Sequence, residues 1–275
     1  MSTAALFERL APRYDELWTE TPAGRAQRNA VWRVVDKLFG AGDYVLDIGC
    51  GTGVDAAHLE SRGILVHAID ASPAMVARAR ARGVMAEVGQ IEDLGGAGPL
   101  VRAGRSRPAL SSMNAMSGGV AGDRRASSAR LDKLKHVPRF DGAISNFGPL
   151  NCVEDLAAVA RELGELVRPG GYVAICTIGR FCVWETLYYG LRLDFKRALR
   201  RLAGRAGEIR YPTVRQLRAL FAADFELIAW SGVGMLAPPS YVKLPARMVA
   251  MLAILDRLPF LRAGADHRLL VFKRK

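Results

Sequence analysis

Two carboxylates and a cluster of glycines carry the chemistry that can be read from this chain. Residues 44–53 read YVLDIGCGTG, and a later apolar stretch closes on Asp70 within HAIDASPAM. The run Tyr44, Val45, Leu46 and Ile48 predicts a strand that delivers the backbone into Gly49, Gly51 and Gly53. Lacking Cβ atoms, these glycines permit a tight turn and the close approach of a ligand. A helix after Gly53 would aim its amide-rich end at the turn, and a second strand, Ile64 to Ile69, would bring up Asp70, a carboxylate able to take both hydroxyls of a ribose. The glycines read G-x-G-x-G, not the G-x-G-x-x-G that seats a pyrophosphate, and Asp47 stands two residues before the first. A carboxylate there repels phosphate and suits an ammonium or sulfonium group, so the turn favours an amino-acid-bearing nucleoside over a dinucleotide.

These blocks, together with FDGAISNFG and LVRPGGYVAI further on, occur in the order and spacing of the class I S-adenosylmethionine-dependent methyltransferases. The chain resembles the broad small-molecule branch that includes the quinone C-methyltransferases. That resemblance implies a doubly wound, seven-stranded Rossmann-like α/β sheet and S-adenosyl-L-methionine as cofactor. It also implies the contacts. Asp47, Gly49 and Gly51 match the positions that hold the methionine end, with Cys50 and Gly53 in the same turn. Asp70 matches the ribose position, with Ala71 beside it, and Met75 the position that packs on adenine. Gln90 stands where relatives carry an acid for the adenine amino group, and its amide oxygen can accept the same hydrogen bond; Ile91 is next to it, with Glu92 and Asp93 as alternatives. Asn146 matches the place where the chain closes over the methionine, and Tyr14, in LAPRYDELW, a lid tyrosine. Taken alone, Met75 reads equally well as core and Tyr14 as a surface-helix aromatic.

The elements that must position these residues are an N-terminal helical cap over 1–40, the alternating strands and helices of one domain over 1–275, and two insertions. Net charge is +12, and all the excess sits in the insertions: 102–139 carries +7 and 180–210 carries +5. The first, within 95–138, has no aromatic residue and is rich in Gly, Ser and Arg, so it is expected to be disordered. The second, within 180–212, is expected to form a helical substrate lid. Its Leu191, Phe195, Ala198, Leu199 and Leu202 recur at helical spacing beside Arg192, Lys196, Arg197, Arg200 and Arg201, which predicts a basic amphipathic helix. The family comparison places Phe181, Trp184, Tyr188 and Tyr189 near the acceptor pocket, although an aromatic and leucine stripe also serves packing. Ser72 before Pro73, and Thr213 with Gln216, read as helix N-caps.

No catalytic base declares itself among His58, His67, His136 and His267. Methyl transfer from a sulfonium can run on alignment of nucleophile, methyl and sulfur in a water-excluded pocket, so none is required. The cysteines Cys50, Cys152, Cys176 and Cys182 form no C-x-x-C pair, so no metal site is expected and a reduced, cytoplasmic protein is the simple reading. The longest apolar run near the C-terminus, Met248 to Leu255, is too short to span a bilayer.

The acceptor is open at this level. Asn146-Phe147-Gly148-Pro149 lacks the Pro-Pro-aromatic block typical of nucleic-acid amino-nitrogen methylation, and the basic segments lack interleaved aromatics for base stacking. The expectation is methyl transfer to carbon or oxygen of a small, hydrophobic or amphiphilic acceptor, with peripheral contact to an anionic membrane face. An RNA methyltransferase and a catalytically silent nucleoside-binding module are the alternatives.

Overall fold

The structure is a computed structural model that describes residues 3–90, 140–235, 244–255 and 264–275. The basic insertion over 95–138, and with it Ile91, Glu92, Asp93 and His136, lies outside the described residues. In chain order the helices α1 (Thr3–Leu10) and α2 (Pro22–Val35) precede strand β1 (Tyr44–Ile48). Then come α3 (Val54–Ser61), β2 (Leu65–Asp70), α4 (Pro73–Ala81), β3 (Ala86–Val88), β4 (Phe140–Ser145), α5 (Leu156–Leu166) and β5 (Val167–Ile178). The lid follows as α6 (Val183–Gly190), α7 (Phe195–Ala198) and a small hairpin of β6 (Arg205–Ala206) and β7 (Ile209–Arg210). The chain closes with α8 (Val214–Phe221), β8 (Phe225–Val233), α9 (Ala246–Leu255) and β9 (His267–Arg274).

Seven strands form one sheet in the order β3-β2-β1-β4-β5-β9-β8, with β9 antiparallel to both neighbours and the rest aligned. The central strands read as near-continuous apolar runs because helices cover both faces. On one face Leu46, Ile48, Phe140 and Ile175 pack with Leu163 of α5 and Phe221 of α8. On the other, Val45, Val66 and Ile144 pack with Val31 and Val35 of α2, Leu59 of α3 and Val76 of α4.

The expected caps are present. The Ser72 hydroxyl accepts from the Met75 amide at 3.2 Å, and Thr213 and Gln216 close both bonds of a capping box. The lid departs from expectation. Instead of one amphipathic helix, the segment turns at Leu191–Leu193, with Leu193 at φ +57°, and restarts as the short α7, capped by Asp194, whose Oδ1 accepts from the Arg197 amide at 3.1 Å. A single 3-10 turn, Arg200–Ala203, completes it. A local side-chain bond from Asp194 thus defeats the helical periodicity.

Candidate cofactor and acceptor site

The glycine turn lies at the carboxyl end of β1, which has β2 on one side and β4 on the other, the crevice where open α/β sheets take ligands. The Gly49 and Cys50 amides both donate to the Ile69 carbonyl, at 2.8 and 2.9 Å, tying the turn to the end of β2. Gly49 has φ +70°, and a Cβ there would collide with Pro149 at 2.3 Å. Gly51 has φ +55°, and a Cβ there would meet nothing within 4 Å. It would intrude only on the space in front of the turn. Asp70 faces the same space: its Oδ2 accepts from the Gly51 amide at 2.8 Å and its Oδ1 from the Ser72 amide at 2.9 Å. Burial raises the Asp70 carboxyl above its ordinary value, and these two amides oppose that shift.

A cavity of about 310 Å³ opens there. Of the residues singled out from the sequence, Tyr14, Gly49, Gly51, Asp70, Ala71, Met75, Gln90 and Asn146 line it. Asp47, Cys50 and Gly53 do not. Cys50 borders an adjoining space of about 30 Å³ with Trp18, Arg28, Thr52 and Asp55. Gly53 is fixed by packing, since a Cβ there would stand 2.8 Å from that of Ala79 in α4. Asp47 is buried beneath the turn, and its Oδ2 has no hydrogen-bond partner among the described residues. Burial drives its carboxyl well above the usual range, reinforced by the charge of Asp55. Both amide atoms of Asn146 are likewise buried without a partner. Orphaned polar atoms beside an open glycine cradle fit a ligand with an amino-acid end and a ribose.

The N-terminal cap forms the cavity's outer wall through Phe7 and Tyr14. Burial pushes the Tyr14 phenol up to about 12, so it stays protonated. The cap is latched to α4 at two points. Glu8 Oε2 accepts from the Ser72 hydroxyl and from the Ala74 amide, and Asp15 pairs with Arg78 at 3.2 Å and Arg82 at 2.8 Å. Burial works against the charge on Asp15, but hydrogen bonds from Thr52 and Arg78 outweigh it and hold the carboxyl below its ordinary value. Deeper in, the Arg28 guanidinium pairs with Asp55 and lies over the rings of Trp18 and Phe147 at 4.8 and 5.1 Å.

Several residues of the site were not singled out from the sequence. Phe147, Pro149 and Leu150 directly follow Asn146, so their position on the chain was the available signal. Phe7 and Glu208 carry no such signal, because only the packing of the cap and the β6–β7 hairpin brings them in. Phe181, Trp184, Tyr188 and Tyr189 do not line the cavity; Tyr188 and Tyr189 pack edge to face at 5.1 Å in the lid. A wider groove of about 670 Å³, between α5, α8 and the lid, holds none of the expected cofactor residues, and chemistry rather than size identifies the site. His58 pairs with Asp36, whereas His267 is buried against the Phe147 ring at 5.3 Å and burial depresses its pKa.

Residues 4–229 match the family described as a methyltransferase domain. Over 178 residues the chain is 30% identical to a malonyl-[acyl-carrier protein] O-methyltransferase from Dechloromonas aromatica, covering 63% of this chain and 49% of that protein. It is 29% identical over 176 residues to a demethylmenaquinone methyltransferase from Mycobacterium marinum, covering 63% and 58% respectively. The chain thus spans about half the length of these curated relatives. Among solved structures, a SAM-dependent methyltransferase from Thermotoga maritima, described as a possible histamine N-methyltransferase, superposes with TM-score 0.56 at 16% identity, covering 98% of this chain and 99% of that one. That likeness is one of fold. With the family match running through most of its length, from the cap to β8, the chain belongs to the class I S-adenosylmethionine-dependent methyltransferases.

Proposed function

We propose that the protein transfers the methyl group of S-adenosylmethionine to a carbon or oxygen of a small, hydrophobic or amphiphilic acceptor, working from the cytoplasmic side of an anionic membrane. The observation that carries the cofactor reading is the Asp70 carboxylate, held by the Gly51 and Ser72 amides at the wall of a 310 Å³ cavity. Asp70 would take the ribose hydroxyls, Met75 and Gln90 the adenine, and Asp47, Gly49, Gly51 and Asn146 the methionine end. Cys50, Gly53 and Ala71 shape the turn around it, and Tyr14 covers it. The cofactor, when bound, supplies a methyl on a cationic sulfur, whose charge is lost as the methyl departs.

The chain's own residues then have to align the acceptor and keep water out. Phe7, Tyr14, Phe147 and Leu150 line the cavity, which suits desolvation of a nucleophile. A phenol or enol would need little further activation, and no side chain is assigned as base. The similar proteins named as a malonyl-[acyl-carrier protein] O-methyltransferase and a demethylmenaquinone methyltransferase support a small or carrier-bound acceptor here.

The test has two stages. Calorimetric titration should show S-adenosylmethionine and S-adenosylhomocysteine binding, with NAD far weaker; the reverse order would overturn the cofactor reading. Methyl-labelled cofactor is then incubated with a lipid extract, a polar metabolite extract and total RNA. Label in the lipid fraction is expected, and label in RNA would replace the acceptor reading.

A further inference from the structure

The most exposed large apolar side chains of the described molecule cluster at one corner of the lid. Leu191 is 84% exposed, Leu193 77% and Phe195 60%, all within five residues between α6 and α7. Leu187, one helical turn before Leu191, and Leu199, one turn after Phe195, extend the two stripes and are themselves exposed. Leu193 holds φ +57°, a left-handed backbone that disfavours a side chain with a Cβ. Folding alone would be better served by glycine or asparagine at this turn. A bulky apolar residue kept there, in water, points to an environment other than water.

The charge around the corner is selective. Arg192, Lys196 and Arg197 are exposed beside it, with Arg192 lying over the Tyr188 ring at 3.8 Å. The acid at the corner, Asp194, is occupied as the cap of α7 and lies 3.4 Å from Arg197. By contrast Arg201, which the sequence pattern places on the same basic face, turns inward to the buried Glu185 and to Asp266, while Arg200 pairs with Glu185 and stays 45% exposed. The outward cations therefore flank the apolar tip, and Arg201 ties it to the residue before β9.

We propose that the corner Leu191–Phe195 is a membrane-docking tip, its apolar side chains entering the boundary of an anionic bilayer while Arg192, Lys196 and Arg197 meet the headgroups. An apolar tip ringed by cations is the chemistry of interfacial binding to acidic lipid, in which burial of apolar area and electrostatic attraction add. This deepens the reading of an amphiphilic acceptor, since the wall of the lid that carries Glu208 to the cofactor cavity belongs to the same inserted segment.

The experiment is co-sedimentation of the full chain with vesicles of phosphatidylcholine alone or mixed with phosphatidylglycerol. Two variants accompany the wild type: an apolar one, Leu191→Ser with Leu193→Gly and Phe195→Ser, and a charge one, Lys196→Glu with Arg197→Glu. Wild type should bind the mixed vesicles only, with affinity falling as salt rises, and each variant should lose about tenfold or more. Leu193→Gly suits the left-handed backbone, and S-adenosylmethionine affinity, read by calorimetry on each variant, should stay at the wild-type value. Undiminished vesicle binding by the apolar variant would overturn insertion and leave adsorption by charge. Absent binding to either vesicle, or a wild-type dimer in sedimentation velocity that the apolar variant dissolves, would overturn the proposal in favour of contact between copies. Because cofactor affinity is measured separately, loss of the methyltransferase reading and loss of the docking reading give different patterns.

Discussion

Asp47 and Asp70 stand twenty-three residues apart in sequence; burial raises both carboxyls, and only Asp70 has backbone amides to oppose it. Asp47 is buried with an unpartnered oxygen, and its carboxyl is raised well above the usual range. Its unfolded value lies near 4 and its folded value well above, so from about pH 4 upward the folded carboxyl holds a proton that the unfolded one gives up; the resulting penalty grows with pH until the raised value is passed and disappears on acidification below about pH 4. Asp47→Asn should therefore raise the thermal midpoint of the free protein by a few degrees while weakening S-adenosylmethionine by about 1–3 kcal/mol. Differential scanning calorimetry with and without cofactor checks both signs; a lower midpoint with unchanged affinity would refute the assignment. Asp70 is partnered by two backbone amides, so Asp70→Ala removes a turn anchor as well as the proposed ribose acceptor. Affinity should fall by roughly 2–4 kcal/mol in titration calorimetry, with a folded protein.

Elements differ in how far their residues announce them. β1 was legible over Tyr44–Ile48, because a buried parallel strand is a short apolar run with clear flanks. The Thr213–Gln216 capping box was legible because its chemistry is local. The lid was not, since the spacing of Leu191 to Leu202 satisfies a helix while Asp194 and the left-handed Leu193 break it. Within the site, the residues on β1, β2 and the turns after them could be read. Glu208, Phe7 and the Arg28–Asp55 pair could not, because they meet only through tertiary packing. The latch of the cap is the same kind of long-range contact, and it is testable. Asp15 has a depressed folded value, so its contribution is present above about pH 4 and is lost as pH falls through that lower value. Its partners Arg78 and Arg82 are 39% and 37% exposed, and screening limits the gain to about 1–2 kcal/mol. Asp15→Asn should speed amide hydrogen exchange across α1 and the following turn without changing exchange in β1 or β4.

At the scale of the molecule, a buried ionic junction ties the lid to the start of β9. Arg201, 12% exposed, bridges Glu185 of α6 and Asp266 just before β9. Replacing it by Met leaves two buried carboxylates without their shared cation, at a cost of roughly 3–5 kcal/mol, and should lower the thermal midpoint by about ten degrees. Arg197→Glu, on the exposed side, should change it by less than about 0.5 kcal/mol. The other end of the molecule is closed by the cap, whose Phe7 and Tyr14 wall the cavity and whose Glu8 and Asp15 grip α4. That grip acts as a clock. Contacts worth about 1 kcal/mol apiece leave the released cap populated at about one part in a hundred or less, so a spent nucleoside waits for a rare event before it can leave. A cap that has to lift before product leaves predicts that residence time, rather than affinity for the acceptor, limits turnover. Stopped-flow displacement of S-adenosylhomocysteine should accelerate with moderate salt and again in Asp15→Asn, and steady-state turnover should rise with it until weakened cofactor capture reverses the gain.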